Sequence, residues 1–144
     1  MATTIPGLDV LFIAGFGPIP HSVDESQNFY QQALGLPLKP MEGNSDYLVA
    51  DHDVLDGAKH FALWPLHQAA ESCFGAAKWP ATHPVPQGWI EFEVADLATA
   101  TEVLLQKGYQ LLVANRLEPW GQSITRLLSP EGLLVGLSVT PWLR

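Results

Sequence analysis

Apolar and polar residues alternate along the chain in a way that predicts the same order of elements twice. In the first half, the apolar run at residues 8–16 is typical of a buried strand. Ser22 and Glu25 then form a helix-capping pattern, and Gly35 ends the helix that they begin. That helix is predicted to carry an apolar stripe made of Phe29, Tyr30, Ala33 and Leu34. Three short strands follow, at residues 36–40, 46–50 and 58–64.

The second half repeats this order. A strand is predicted at residues 89–94, and Asp96 is placed to cap the helix that follows it. The apolar stripe of this helix is predicted at Leu97, Ala100, Leu104 and Leu105. Gly108 ends the second helix as Gly35 ends the first, and strands are then expected at residues 109–114, 122–128 and 133–139. The repetition predicts two β-α-β-β-β modules, as a duplication would produce.

The two modules are predicted to form one domain spanning residues 1–144, because a chain of this length is too short for two ordinary domains. Module one covers residues 8–66 and module two covers residues 88–142. The linker between them, residues 67–87, is rich in alanine at its start and in proline at its end. That composition predicts an extended connector, or a short helix followed by a crossover.

Charge and composition exclude several classes of partner. The chain has 7 basic and 15 acidic residues, a formal net charge of −8, and no cluster of Lys and Arg that could neutralise phosphates. Nucleic acids and anionic membranes are therefore not expected partners. No apolar run approaches the roughly 20 residues that span a bilayer, and no secretory signal pattern opens the chain, so a cytoplasmic location is expected. The single cysteine, Cys73, cannot form an internal disulfide and is expected to be a small, partly buried residue.

Three short motifs resemble the vicinal oxygen chelate superfamily. Residues 29–35 begin with Phe-Tyr and end with Leu-Gly, residues 118–121 read Glu-Pro-Trp-Gly, and residues 129–132 read Ser-Pro-Glu-Gly. The last two are similar to the Pro-Trp-Gly and Asp-Pro-x-Gly patterns of that superfamily, with Ser129 in place of the usual Asp. Its members include glyoxalase I, extradiol dioxygenases, fosfomycin-resistance enzymes and bleomycin-resistance proteins. The resemblance implies an α+β fold, with two tandem βαβββ modules forming a curved mixed sheet with a concave cleft.

The same resemblance implies where a metal would be bound. Metal-containing members place a His on the first strand of each module and a Glu on the last strand. The matching positions in this sequence are approximately Gly15, Ala62, Trp89 and Gly136. None of these residues can bind a divalent cation, whereas a catalytic site typically needs three protein ligands. We therefore expect that the metal site of the superfamily has been lost, and that no metal or other cofactor is bound.

Other residues are predicted to line the cleft as a ligand-binding site. On the strand at 89–94, Trp89, Glu91 and Glu93 alternate with apolar residues and so share the concave face. Gly136 lies on the last strand, where a glycine often marks the close approach of a ligand. The remaining predicted site residues are His60, Trp64, Trp120 and Arg126. Arg126 replaces a usually apolar residue and is a candidate ion-pair partner of Glu91 or Glu93, which would weaken binding of a cationic ligand.

The leading hypothesis from these residues is a metal-free binding protein without catalytic residues. Tryptophan faces and carboxylates suit a cationic or aromatic small molecule, and the pattern is closest to the bleomycin-resistance branch, which sequesters an antibiotic. That branch is typically dimeric, so a homodimer is expected. Trp142 is interpreted as a packing or dimer residue.

Three alternatives remain open at the level of the sequence. The first is a lyase, isomerase or dioxygenase whose metal site has moved to His60 and Glu91, with His21 as a further ligand. The second is a metal-free acid–base enzyme that uses Glu91 or Glu93. The third is an interaction or structural module whose cleft is filled by its own side chains or by a partner.

Overall fold

Glycines, prolines and helix caps set the bounds of the elements in the computed structural model, which describes residues 5–144. Over those residues the strands are β1 Val10–Pro18, β2 Lys39–Met41, β3 Asn44–Asp51, β4 His60–Leu63, β5 Gly88–Val94, β6 Val113–Leu117, β7 Ser123–Leu128 and β8 Leu134–Val139. The helices are α1 Val23–Gln27, α2 Leu66–Phe74 and α3 Leu97–Gln106, with a π-helical turn at Asn28–Ala33 and a 3₁₀ turn at Pro141–Leu143. The predicted order β-α-β-β-β therefore occurs twice.

The described chain divides into two compact units. The first unit is Gly15–Trp89, and the second consists of the residues up to Ala14 together with Ile90–Arg144. Neighbouring strands follow the orders β2-β3-β4-β1 and β5-β8-β7-β6, and β1 and β5 each have residues in both units. Parallel and antiparallel pairs both occur, so the predicted α+β class with a mixed sheet is confirmed. The concave cleft, and the predicted bounds of the single domain, stay predictions.

Gly17 fixes how closely β1 approaches β4 in the first unit. The two strands run parallel, with Phe16 opposite Phe61, and β3 pairs with β4 on the other side. A β-carbon built at Gly17 would lie 1.9 Å from the carbonyl oxygen of Ala62. Only a residue without a side chain fits at this position, because real β-carbons do not come so close to another backbone.

The core of the first unit shows which side chains of β4 are packed in its interior. Phe61 and Leu63 pack against a cluster made of Leu38, Leu48 and Ala50. The predicted stripe of the first helix is wrong at Phe29 and Leu34, which are 53% and 54% exposed, and of the stripe only Tyr30 packs on this core. The reason is the π-helical turn, which adds a residue to the turn and rotates the following side chains away from the α-helical stripe.

The predicted linker contains a helix. Residues 66–74 form α2, which ends at Gly75 in the left-handed conformation, and its buried face consists of Ala69, Ala70 and Cys73. Trp79 then packs edge-on against Phe74 with ring centroids 4.9 Å apart. The alternative of a short helix is therefore the one that the structure adopts.

The second unit is built around α3. The Asp96 side chain accepts a hydrogen bond from the Thr99 backbone N–H at 3.1 Å, as the predicted cap requires. Leu97 and Ala100 pack against Val94 and Leu137. The stripe is wrong at Leu105, which is 48% exposed; Thr101 is buried in its place, with its hydroxyl 2.6 Å from that of Thr125.

The helices of this chain are short. No helix within residues 5–144 is long and apolar enough to cross a membrane.

Replacing Gly17 with Ala is expected to destabilise the protein by at least about 3 kcal/mol, because β1 and β4 must separate to admit the methyl group. Gly43→Ala is the control: Gly43 has a positive φ, which Gly17 does not, but it has open space around it, so the loss there is about 1 kcal/mol and comes from the backbone conformation alone. Urea unfolding measures both. Equal losses in the two variants would show that strand contact at Gly17 is unimportant.

Candidate functional site

Three predicted site residues of the first unit, His60, Trp64 and Trp89, form an aromatic cluster together with Tyr47, which was not predicted. The Trp89 indole N–H donates to the carbonyl oxygen of Ala62 at 3.1 Å. The rings of Trp64 and Trp89 meet edge to face, with centroids 6.0 Å apart and an interplanar angle of 81°. His60 lies on the other side of the cluster, 2.8 Å through Nε2 from the Tyr47 hydroxyl. These contacts hold the rings in one arrangement.

The aromatic cluster fills the space at Gly15. A β-carbon at Gly15 would lie 3.1 Å from the Trp89 ring and 3.2 Å from the His60 β-carbon. Gly15, Ala62 and Trp89 are therefore neighbours, as their correspondence to metal-ligand positions implies. Their side chains offer no nitrogen, oxygen or sulfur lone pair to a metal, so they do not fit a divalent cation.

Burial changes the role that can be given to the two tryptophans. Trp64 and Trp89 are 8% and 5% exposed, and each has the other ring as a neighbour. Little of their apolar surface is therefore left for a ligand. Trp89→Ala therefore tests packing and the hydrogen bond to Ala62 more than it tests contact with a ligand.

The second unit holds a polar network, which we define as Glu91, Arg116, Glu118, Gln122, Arg126 and Thr140. Its centre is Arg126, which is only 2% exposed. One guanidinium nitrogen of Arg126 donates to a Glu118 carboxylate oxygen at 3.1 Å, and the other lies 3.6 Å from the Glu91 carboxylate. Arg116, which is more exposed, reaches the same Glu118 oxygen at 2.7 Å. Two carboxylates are thus neutralised by two guanidinium groups.

Gly136 makes room for this network. Arg126 lies directly opposite Gly136 in the β7–β8 pairing, so both positions face the same side of the sheet. A β-carbon at Gly136 would lie 2.8 Å from Cγ of Glu91. The space that a side chain at Gly136 would occupy is therefore taken by Glu91. A carboxylate is still present near this position, but it comes from β5 and is paired with Arg126.

Gln122 connects the network to an exposed aromatic ring. Its amide nitrogen donates to Glu91 at 2.9 Å and to the Thr140 hydroxyl at 2.9 Å. Its amide oxygen accepts from the Trp120 indole N–H at 3.0 Å. An indole nitrogen can only donate, which fixes the orientation of the amide. Trp120 is 52% exposed, so one end of this chain of hydrogen bonds is accessible from solvent.

Glu93 is fully buried and has a separate set of partners. It accepts from the Ser138 hydroxyl at 3.0 Å and from the Thr140 backbone N–H, and the Arg144 guanidinium pairs with it at 2.8 Å. Of the two acids considered as partners of Arg126, the structure thus pairs Glu91 with it and gives Glu93 to Arg144. Glu93 therefore forms a buried ion pair with a structural role, whereas the Glu91 side chain remains 12% exposed.

Sequence reasoning missed Glu118, Gln122 and Arg144 as partners in these networks. Glu118 and Gln122 flank the Pro-Trp-Gly loop, and the Glu118 N–H donates to the Gln122 carbonyl oxygen at 2.7 Å, which closes that loop. Polar residues on both sides of a predicted binding loop were the available signal. No local pattern marks Arg144.

The displaced metal site at His60 and Glu91 stays a prediction, since these residues belong to different units. In residues 5–144 the one group of three potential ligands is Asp51, His52 and Asp53, an exposed turn after β3. Neither His60 nor Glu91 belongs to it. His21 lies elsewhere in the first unit and hydrogen-bonds through Nε2 to the carbonyl oxygen of Pro86 at 3.1 Å.

Comparisons with known proteins confirm the fold. No family model and no curated protein matches the chain. A variant methylmalonyl-CoA epimerase of Streptomyces coelicolor in complex with 2-nitronate-propionyl-CoA is 25% identical, covering 92% of this chain and 99% of that chain, with a TM-score of 0.56. Methylmalonyl-CoA epimerase from Mycobacterium tuberculosis is 20% identical over 99% of this chain and 95% of that chain, with a TM-score of 0.59.

A further solved structure carries the superfamily description itself. It is a glyoxalase/bleomycin resistance protein/dioxygenase superfamily member from Vibrio splendidus, 16% identical over 85% of this chain and 93% of that chain, with a TM-score of 0.52. The chain therefore has the fold of the vicinal oxygen chelate superfamily, as its motifs implied. The finer resemblance to the metal-free bleomycin-resistance branch stays a prediction, since two of these three structures are epimerases.

Replacing Arg126 with Met is expected to cost about 3–5 kcal/mol of unfolding free energy, because it leaves the buried Glu118 and Glu91 without their central cation. Arg116→Met is the matched control. It removes a second guanidinium from the same Glu118 oxygen, but Arg116 is 40% exposed, so we expect about 1 kcal/mol or less. The double variant Glu118→Gln/Arg126→Met should recover part of the loss. Urea denaturation at pH 7 measures all three, and equal losses at Arg116 and Arg126 would contradict the central role of Arg126.

Proposed function

We propose that this protein binds a small aromatic molecule without a metal ion, using the surface of the second unit around Trp120, Gln122 and Glu91. Trp120 provides an exposed ring for stacking, and Glu91 provides a hydrogen-bond acceptor at the base of the site. The observation that carries the proposal is the continuous chain of hydrogen bonds from Trp120 through Gln122 to Glu91. It holds an exposed aromatic side chain in a fixed position beside a partly open carboxylate.

The charges of the polar network support a metal-independent site. Glu91 and Glu118 together carry two negative charges, and Arg116 and Arg126 carry two positive charges. A divalent cation at Glu91 would have to compete with a guanidinium already buried among the carboxylates. Displacing it would leave a buried arginine unpaired, at a cost of several kcal/mol.

The same charges refine the class of ligand. Arg126 neutralises Glu91, so the site has less attraction for a strongly cationic drug than a free carboxylate would have. Anions are disfavoured by the net charge of −8. The interactions that the site still offers are stacking on Trp120 and one hydrogen bond to Glu91. An uncharged aromatic molecule with an N–H or O–H donor can make both.

Titration calorimetry on chelator-treated protein tests this proposal with two probes. Indole-3-carboxamide is an uncharged aromatic amide, and bleomycin is a cationic drug with planar rings. We expect the amide to bind, and Trp120→Ala to weaken its binding at least about fivefold, because aromatic stacking is worth about 1–3 kcal/mol. Phe29→Ala is the control, since Phe29 is an equally exposed ring in the first unit. Full affinity in Trp120→Ala, or an equal loss in Phe29→Ala, would place the site elsewhere.

The second candidate function is an isomerase or lyase of the same fold, and the epimerases among the structural neighbours favour it. Glu91 would act as the base that removes a proton next to a thioester carbonyl. Arg126, beside it, would stabilise the negative charge that develops on the carbonyl oxygen. The Glu91 side chain is 12% exposed, against 5% for Glu118 and 0% for Glu93, and proton transfer to a substrate requires such exposure.

Exchange of the C2 proton of methylmalonyl-CoA in D₂O, followed by NMR, tests this second function. Deuterium incorporation that is lost in Glu91→Gln and kept in Glu131→Gln, an exposed acid in a turn, would establish it over the binding function. Elemental analysis of protein purified without chelator belongs to the same test. One equivalent of bound nickel, zinc, iron or manganese would overturn the metal-independent proposal.

The expected homodimer is part of the proposal as well. Native mass spectrometry of the protein as purified gives the number of subunits and any retained ligand in one measurement. A dimer that carries a small organic ligand is the expected result, and a monomer would remove the homodimer from the proposal.

A further inference from the structure

The first unit holds a groove that shares no residue with the aromatic cluster or the polar network. It is a groove of about 310 Å³ at the exit of β1, bordered by α1 and the π-helical turn. Ile19, 2% exposed, lines it together with His21, Glu25, Ser26, Tyr30 and Gln87. This is the volume that about ten water molecules occupy in liquid water, and it is large enough for a small metabolite.

The backbone that lines this groove is held firmly in place. The Ile19 N–H donates to the Gln87 carbonyl oxygen at 2.9 Å, and the Pro20 carbonyl oxygen accepts from the Leu66 N–H at 2.9 Å. The His21 ring adds a hydrogen bond to Pro86 at 3.1 Å. Segments from three parts of the chain are thus joined around the groove. A ligand would meet a formed site and would not have to order it first, which lowers the entropic cost of binding.

Tyr30, which lines the groove, belongs to the π-helical turn. The turn at Asn28–Ala33 is closed by the Leu34 N–H, which donates to the Phe29 carbonyl oxygen at 3.0 Å. Tyr30 packs on the apolar core of the first unit and also lines the groove. Single π-helical turns are rare and occur frequently at functional sites, since they move one side chain out of the regular helical order.

Polar side chains in the groove lack partners within residues 5–144. This holds for the Glu25 carboxylate, the Ser26 and Tyr30 hydroxyls and the Gln87 amide. The Pro86 carbonyl can only accept, so His21 Nε2 carries the proton of that hydrogen bond and Nδ1 is the ring's remaining polar atom. The groove therefore combines one carboxylate with several uncharged hydrogen-bonding groups.

The charge of the lining selects the sign of a ligand. Glu25 is its one carboxylate, and no Lys or Arg lines the groove. A cation can pair with Glu25 and lie against the Tyr30 ring, and an adjoining hydroxyl can hydrogen-bond to Ser26 or Gln87. The net charge of the chain, −8, acts in the same direction.

We propose that the groove lined by His21, Glu25, Tyr30 and Gln87 binds a small organic ammonium ion that carries a hydroxyl group. This site is independent of the proposed function at Trp120 and Glu91, which lies in the second unit. The two sites differ in residues, in charge and in ligand class, and each can fail without the other.

Amide chemical shifts in a ¹H–¹⁵N NMR titration test the proposal with ethanolamine as the probe. Ethylene glycol serves as its uncharged analogue and glycolate as its anionic analogue, all at constant ionic strength and pH 7. We expect saturable shifts for ethanolamine at the amides of residues 21–31 and 87, and none that saturate for the two analogues. Trp120→Ala should leave this titration unchanged.

Glu25→Gln is the decisive variant, with Asp24→Asn as its matched control. Both acids are exposed residues of α1, but Asp24 does not line the groove. Glu25→Gln should weaken ethanolamine binding at least fivefold, and Asp24→Asn should change it less than twofold. Neither change removes a buried group, and circular dichroism verifies that both variants fold. Equal weakening by the two variants, saturable binding of ethylene glycol, or no saturable shift in the unaltered protein would each overturn the proposal.

Discussion

The ion pair between Arg126 and its two carboxylates is the constraint on which the candidate site depends. A guanidinium that is 2% exposed has lost nearly all of its hydration, a loss of several kcal/mol that only close negative partners can offset. Glu118 and Glu91 supply these partners at 3.1 and 3.6 Å. Glu91 can reach Arg126 because Gly136 leaves its side-chain space empty. Gly136, Arg126 and Glu91 therefore depend on one another, since the ion pair forms only where the glycine leaves space for the glutamate side chain.

The two units differ in the side chains that fill the space beside their glycines, Gly15 and Gly136. In the first unit, aromatic rings cover the positions that correspond to metal ligands, and Gly15 is the residue that admits them. In the second unit, a neutral set of charges and hydrogen bonds lies beside Gly136. Both solutions satisfy buried polar atoms, since no buried side-chain nitrogen or oxygen among the described residues lacks a partner. The positions that the resemblance relates to metal ligands are thus next to the chain's own aromatic and carboxylate side chains.

This outcome bears on the alternatives that the sequence left open. Internal filling was expected of an interaction or structural module, and it holds for Trp64, Trp89 and Glu93. Trp120 and Glu91 differ, because they keep exposed surface while being fixed by Gln122. A ligand site is therefore proposed at these two residues and no longer across all eight that the sequence suggested. The hydrogen bonds around Gln122, more than the tryptophan count, are what make the site specific.

The sequence by itself determined local features of the chain. These are the two helix caps at Ser22 and Asp96, the alternation of apolar and polar residues on β5, and the absence of metal-binding side chains at four positions. These features depend on residues within a few positions of one another, so they can be recognised without the fold. The tertiary structure alone decided that Arg126 pairs with Glu91 and Glu118, that Arg144 neutralises Glu93, and that the Trp89 ring is buried. It also decided that a π-helical turn exposes Phe29 and that Thr101, not Leu105, faces the core. Each of these depends on which distant residue fills a particular space, and that is set by the packing of strands and helices.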